Sequence, residues 1–136
     1  MGHGLALCRG DVSDIDCATC VIEASRRVRD YCSYNKAGII WYDYCLVKYS
    51  NTSFFGKNGN QNMFYAWSNQ NASDPSSFNA KARKLHRELA KQASESPMMY
   101  KSGRLRIGEG RTIYGLAQCS RDLSGSDCKQ YLDDVK

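Results

Sequence analysis

The cysteine pattern constrains this chain more than any other feature, because it occurs twice. Residues 4–20 carry Gly4-Leu5-Ala6-Leu7-Cys8, then Asp11, Ser13, Asp16, Cys17 and Cys20. Residues 115–131 carry Gly115-Leu116-Ala117-Gln118-Cys119, then Asp122, Ser124, Asp127, Cys128 and Tyr131. The offset is 111 residues, and 8 of the 17 aligned positions are identical. Eight residues separate the first two cysteines in each copy; the third cysteine of the first copy is replaced by Tyr131 in the second. A repeat of domain length means that the chain must be read as copies of one unit. With 136 residues and a period of 111, it is expected to begin partway into one repeat and end partway into the next.

A hydrophobic content of 42% supports a real core and excludes a disordered chain. Seven cysteines at paired spacings, without neighbouring histidines, point to disulfides and an oxidising compartment. An odd number leaves one cysteine without a partner inside the chain. No run approaches the roughly 20 apolar residues of a membrane span. No signal peptide is visible at Met1-Gly2-His3, which conflicts with disulfides unless the chain is incomplete. The net charge of +5 favours acidic surfaces only in a general way.

Periodicity places the elements. Residues 5–9 read as a short strand. Ser13 and Asp16 mark a helix start, followed by an apolar stripe at Cys17, Val21, Ala24, Val28 and Tyr31. Asn35 to Gly38 read as a turn. Residues 39–49, rich in β-branched and aromatic types, read as one long strand. Residues 51–62 form a polar connector, and residues 63–67 a short strand. Asp74-Pro75 opens a second helix with the stripe Phe78, Ala82, Leu85, Leu89 and Ala93. Residues 98–107 and 111–120 read as a hairpin around Gly108-Glu109-Gly110. Ser124 and Asp127 repeat the first helix start. The fold class is α+β: helices packed on an antiparallel β-sheet, disulfide-stapled, with two partial copies of one repeat.

The spacing Cys8-x8-Cys17-x2-Cys20, with Cys32 and Cys45 following, resembles the plant ginkbilobin-type domain. This domain is also called the stress-antifungal or cysteine-rich secretory repeat. The segment Ile39-Ile40-Trp41-Tyr42-Asp43-Tyr44-Cys45 resembles the end of the first of two tandem domains. Phe64-Tyr65-Ala66-Trp67, Asp74-Pro75 and Tyr114-Gly115-Leu116 resemble the start of the second. The implied boundaries are 1–54 for the first partial repeat, 55–62 for a linker and 63–136 for the second. The resemblance implies two helices on a five-stranded antiparallel sheet. It also implies the bridges Cys8–Cys17, Cys20–Cys45 and Cys119–Cys128, with Cys32 unpaired. It carries no cofactor, metal or catalytic residue.

Each sharper reading has a plain competitor. Cys17-Ala18-Thr19-Cys20 has the spacing of a redox pair or half a zinc site, but the resemblance gives each cysteine another partner. His3 and His86 lie in different segments and outside metal-finger spacing, so surface roles are expected. Lys81, Arg83, Lys84, Arg87 and Lys91 form a basic helix face that suits phosphate or anionic lipid; a solvated outer face is the simpler expectation. Asn51 and Asn71 begin N-glycosylation triplets. In the mannose-binding member of the resembled family the contacts come from an Asn just after the domain's first cysteine, a position missing from the first repeat here, and from an Arg six residues before and a Glu five residues after its last cysteine. Ile39 and Ser50 stand at the Arg and Glu positions here, which removes that hydrogen-bonding chemistry.

The expected function is a non-enzymatic recognition module of a plant cysteine-rich repeat protein in stress or defence. Its setting would be the extracellular space (apoplast) or the ectodomain of a receptor-like kinase. The expected partner is an extracellular protein or a cell-wall glycan, without nucleic acid. The alternative is an antifungal mannose-binding lectin. One further expectation is structural: the strand at 39–49 could pair with the second copy's hairpin, closing one composite sheet.

Overall fold

The computed structural model describes residues 2–57, 73–108 and 110–135. In chain order the elements are β1 (His3–Cys8), α1 (Asp14–Tyr31), β2 (Ala37–Trp41), β3 (Cys45–Ser50), α2 (Pro75–Glu95), β4 (Tyr100–Gly108), β5 (Arg111–Gln118) and α3 (Gly125–Asp134). They fall into two compact units, Met1–Phe55 and Gly56–Lys136. The fold class is α+β, with helices on antiparallel sheets.

The first unit lays α1 on a three-stranded sheet of order β1-β3-β2. Ser13 starts the helix. Its backbone is extended, and its hydroxyl accepts the Asp16 N–H at 3.2 Å while donating to the Asp16 carboxylate at 2.9 Å. This reciprocal pairing satisfies an N–H that no helical carbonyl reaches. The buried row is Cys20, Ala24 and Val28, continued by the half-buried Cys32 at the C-cap. Tyr31, expected on the stripe, is 71% exposed. The burial follows the i, i+4 row through Cys20, and Tyr31 sits one position off it.

Residues 39–49 are not one strand. They are β2 and β3 of a hairpin, joined through Tyr42, Asp43 and Tyr44, with the Tyr42 N–H donating to the Cys45 carbonyl at 2.7 Å. Side-chain parity gives the reason. Ile40 and Tyr42 join the core before the turn, and Cys45, Val47 and Tyr49 join it after. A continuous strand alternates faces every residue, so it could not bury both sets on one side. Asp43, a poor strand former, marks the break.

The preceding turn also lies earlier than expected. It spans Cys32 to Lys36, and Ala37 and Gly38 belong to β2. Tyr34, at φ 72°, takes the left-handed conformation that reverses the chain. Gly38 is needed for packing: a Cβ there would lie 2.7 Å from the Tyr49 ring and 3.0 Å from Cys32.

The second unit lays α2 across the β4–β5 hairpin and beside α3. Asp74 caps α2, accepting the Ser77 N–H at 3.3 Å, and Pro75 follows where no N–H is required. Leu85, Leu89, Ala90 and Ala93 are buried, whereas Phe78, expected on the same stripe, is 38% exposed. Gly103 and Gly115 face each other across the hairpin beneath Leu89 and Leu85. Any Cβ on Gly115 would come within 2.9 Å of the Leu89 Cδ1. Ser124 repeats the device of Ser13, accepting the Asp127 N–H at 3.1 Å and donating to its carboxylate at 2.7 Å.

The composite sheet does not form. Among the described residues β3 pairs with β1 and β2, and β4 pairs with β5. Ladder register explains this: both edges of β3 are taken within its own unit. The strand expected at 63–67 lies outside the described residues.

Candidate recognition surface

Disulfides frame the first unit. Cys8 bonds to Cys17 and Cys20 to Cys45, with Cα separations of 5.7 and 6.1 Å. The first ties the end of β1 to the start of α1, and the second pins α1 to β3. Cys17 and Cys20 are therefore bonded to different partners. In the second unit Cys119–Cys128 makes the tie equivalent to Cys8–Cys17. Cys32 carries a free thiol and is half-buried.

These ties leave a groove between the C-terminal half of α1 and strands β1 and β3. It encloses about 760 Å³ and includes Leu5, Val28, Arg29, Cys32, Val47 and Lys48 in its lining. Tyr49 closes one side. Its hydroxyl donates to the carbonyls of Cys32 at 3.0 Å and Asn35 at 3.2 Å, fixing the chain after α1. Neither Tyr49 nor the groove was apparent from the sequence.

A second depression, about 580 Å³, lies where the β2–β3 turn meets the start of α1. Trp41 and Tyr44 line it at 40% and 47% exposure, beside Asp16, Glu23 and Asp43. Arg9 borders this turn: its guanidinium lies 5.2 Å from the Tyr44 ring centre and donates to the Asp43 carbonyl at 3.4 Å. The same guanidinium donates to Asp11 at 2.6 Å, and this hydrogen bond holds the Asp11 carboxyl below its ordinary range.

The remaining predicted residues are dispersed. Ile39 sits on β2 opposite Lys48, and Ser50 on β3 opposite Ala37. His3 packs edge-on against Phe55, and His86 Nε2 lies 2.6 Å from the Leu132 carbonyl, joining α2 to α3. Arg83, Lys84, Arg87 and Lys91 are exposed on α2, while Lys81 reaches back to donate to the Ile107 carbonyl at 3.1 Å. Among the described residues no cluster of His, Cys, Asp or Glu has the arrangement to hold a metal ion. No described helix is long and apolar enough to cross a membrane. Asn51 lies just after β3 and is exposed; Asn71 lies outside the described residues.

The profile of the salt stress response/antifungal family (Stress-antifung) matches residues 2–52 and 65–136. An antimicrobial ginkbilobin-2-like protein of Castanea crenata is 51% identical over 131 residues, covering 96% of this chain and 54% of its own length. Cysteine-rich repeat secretory protein 38 of Arabidopsis thaliana is 47% identical over 135 residues, covering 98% of this chain and 53% of its own. The chain thus spans about half the length of the curated relatives it matches. Among solved structures, the tandem DUF26 ectodomain of the Arabidopsis thaliana cysteine-rich receptor-like protein PDLP8 is similar in fold. Its TM-score is 0.81 at 24% identity, over 97% of this chain and 59% of that one. The PDLP5 ectodomain gives 0.71 at 29% identity, over 98% and 60%.

Proposed function

The chain belongs to the salt stress response/antifungal family, and on that premise we propose that it is a non-enzymatic extracellular recognition module of a plant cysteine-rich repeat protein, with a role in stress or defence. The observation that carries this reading is the apolar groove on a unit whose helix and strands are tied by two disulfides. Such bridges persist in an oxidising compartment and are reduced in the cytosol. A groove held open by covalent ties is preorganised, which lowers the ordering cost of binding. The relatives named as secretory proteins and ectodomains favour the same setting. Asn51 and Asn71 are then proposed glycan acceptors, and the bridges with the free Cys32 are structural rather than catalytic.

Carbohydrate recognition is the second reading, favoured by one feature. Exposed Trp41 and Tyr44 beside Asp16, Glu23 and Asp43 offer an apolar platform with hydrogen-bond acceptors. The Ile39 and Ser50 positions argue against the mannose mode. The oxidised chain should be tested against a plant ectodomain panel and a glycan array, with insulin reduction measured in parallel. Saturable binding to an ectodomain, lost on reduction of the bridges, is the expected result. Glycan binding abolished by Trp41→Ala would transfer the function to the second reading. Turnover of insulin would overturn the non-enzymatic one.

A further inference from the structure

Most of the chain's net charge of +5 sits on one helix. α2 carries five lysines and arginines against the two carboxylates of Glu88 and Glu95, whereas α1 carries three cations against four carboxylates. On α2, Lys81 is tied to the Ile107 carbonyl. The other four cations, Arg83, Lys84, Arg87 and Lys91, are exposed. Lys84, Arg87 and Lys91 follow one another at i, i+3 and i+7, which places them in one row, with Arg83 flanking it. The row lies on the side away from the buried Leu85, Leu89 and Ala93. At the ordinary helical rise it spans about 10 Å along the axis.

Helix stability does not account for this row. Arg83 and Arg87, and again Arg87 and Lys91, are like charges four residues apart, which repel. None of the four lies in the last turn, where the helix dipole favours cations. Nor are they held by ion pairs. Among the described residues the ion pairs are Arg9–Asp11 and Lys129–Asp133, and Glu88 joins neither Lys84 nor Lys91. The repeat shows that the rest of the domain packs elsewhere. The part that precedes the motif, seen as α2 and β4, packs on the motif strand of its own unit. The part that follows the motif helix is seen in the first unit, where β3 pairs with β1 and α1 lies on β3 and β2. Its counterpart in the second repeat therefore belongs to the sheet layer beneath the helices, and the cationic row faces away from that layer.

We propose that the Lys84–Arg87–Lys91 row binds a linear polymer of uronic acids of the plant cell wall. Such a polymer presents one carboxylate per sugar along an extended chain. Arg87 can meet a carboxylate with two parallel hydrogen bonds, and the lysines meet theirs as point charges. A membrane surface fits less well. The large apolar side chains of α2 that follow Phe78 are buried in the core, so none stands beside the row to enter lipid. Nucleic acid also fits less well: the row has no aromatic side chain on which bases could stack, and the three disulfides belong to an oxidising compartment. This inference deepens the recognition reading and rests on its extracellular setting; it uses neither the groove nor Trp41.

The test is titration of the full oxidised chain with an oligogalacturonate, followed by calorimetry and amide NMR. The fully methyl-esterified oligosaccharide, which keeps the sugars and loses the charge, is titrated beside it. Saturable binding of the acid form is expected, with amide shifts centred on residues 83–91 and affinity that falls steeply with salt. Replacing Lys84, Arg87 and Lys91 together by Gln should weaken binding by at least about tenfold and flatten its salt dependence. Removing as many exposed charges elsewhere, by Arg26→Gln, Arg27→Gln and Lys36→Gln, should leave binding nearly unchanged at physiological salt, where distant charges are screened. The thermal midpoint of the α2 variant should not fall, because its like-charge repulsion is relieved. Should that variant fail to fold, Arg87→Gln alone carries the test. Equal binding of the methyl ester, or an equal loss in the two triple variants, overturns the proposal. So does tighter binding of single-stranded DNA or of phosphatidylserine vesicles, or absence of saturation at about 1 mM oligogalacturonate. If the oligogalacturonate fails while a plant ectodomain binds, this inference falls and the recognition reading stands.

Discussion

Gly4 and Gly115 hold the same place in the repeat under different constraints. Gly115 lies beneath two leucine side chains, while Gly4 lies beneath none. Gly115→Val should therefore cost about 1–3 kcal/mol through overpacking, and Gly4→Val should stay within about 0.5 kcal/mol of wild type. Urea unfolding of the two variants makes the comparison. Asp11 offers a second check at this scale. The hydrogen bond from Arg9 lowers its pKa. A lowered carboxyl pKa gives stability that is present above the unfolded value and is lost as pH falls through the folded one. The pair is solvent-exposed, so Asp11→Asn should leave the thermal midpoint at neutral pH unmoved. NMR titration of the Asp11 carboxyl should find it ionised below the range of an unrestrained aspartate.

At the scale of elements, local chemistry was legible and facing was less so. Ser13, Ser124 and Asp74 each cap the helix that the sequence places after them, since capping is decided within four residues. Ser13→Ala and Ser124→Ala should each cost about 1 kcal/mol, measured by thermal unfolding. The hairpin at 39–49 was hidden for a physical reason. Its residues are mostly β-branched and aromatic, and only the buried set reveals the change of parity from Ile40 and Tyr42 to Cys45, Val47 and Tyr49. Tyr31 and Phe78 show the same limit. Helical periodicity identifies a stripe, but the neighbours it meets in the fold decide which members are covered. The groove was illegible because it depends on what lies opposite β1, and no pattern within residues 3–8 encodes that.

At the scale of the molecule, two units carry the same strand–helix motif, and each surrounds it with different neighbours. The first unit covers it with β2 and β3, the second with α2 and β4. Covalent ties differ too, since Cys20–Cys45 closes the widest sequence separation, 25 residues, and the second unit has Tyr131 where that bridge would start. Replacing both Cys20 and Cys45 with serine should cost about 2–5 kcal/mol and open the groove that Cys45 and Val47 help to support. The proposed recognition module depends on its disulfides and hence on an oxidising compartment. Peptide mapping under non-reducing conditions, on the chain secreted from plant cells and alkylated at collection, tests it most directly. The expected pairs are Cys8–Cys17, Cys20–Cys45 and Cys119–Cys128, with the alkyl label on Cys32 alone. A Cys17–Cys20 bridge, or label spread over all seven cysteines, would contradict it.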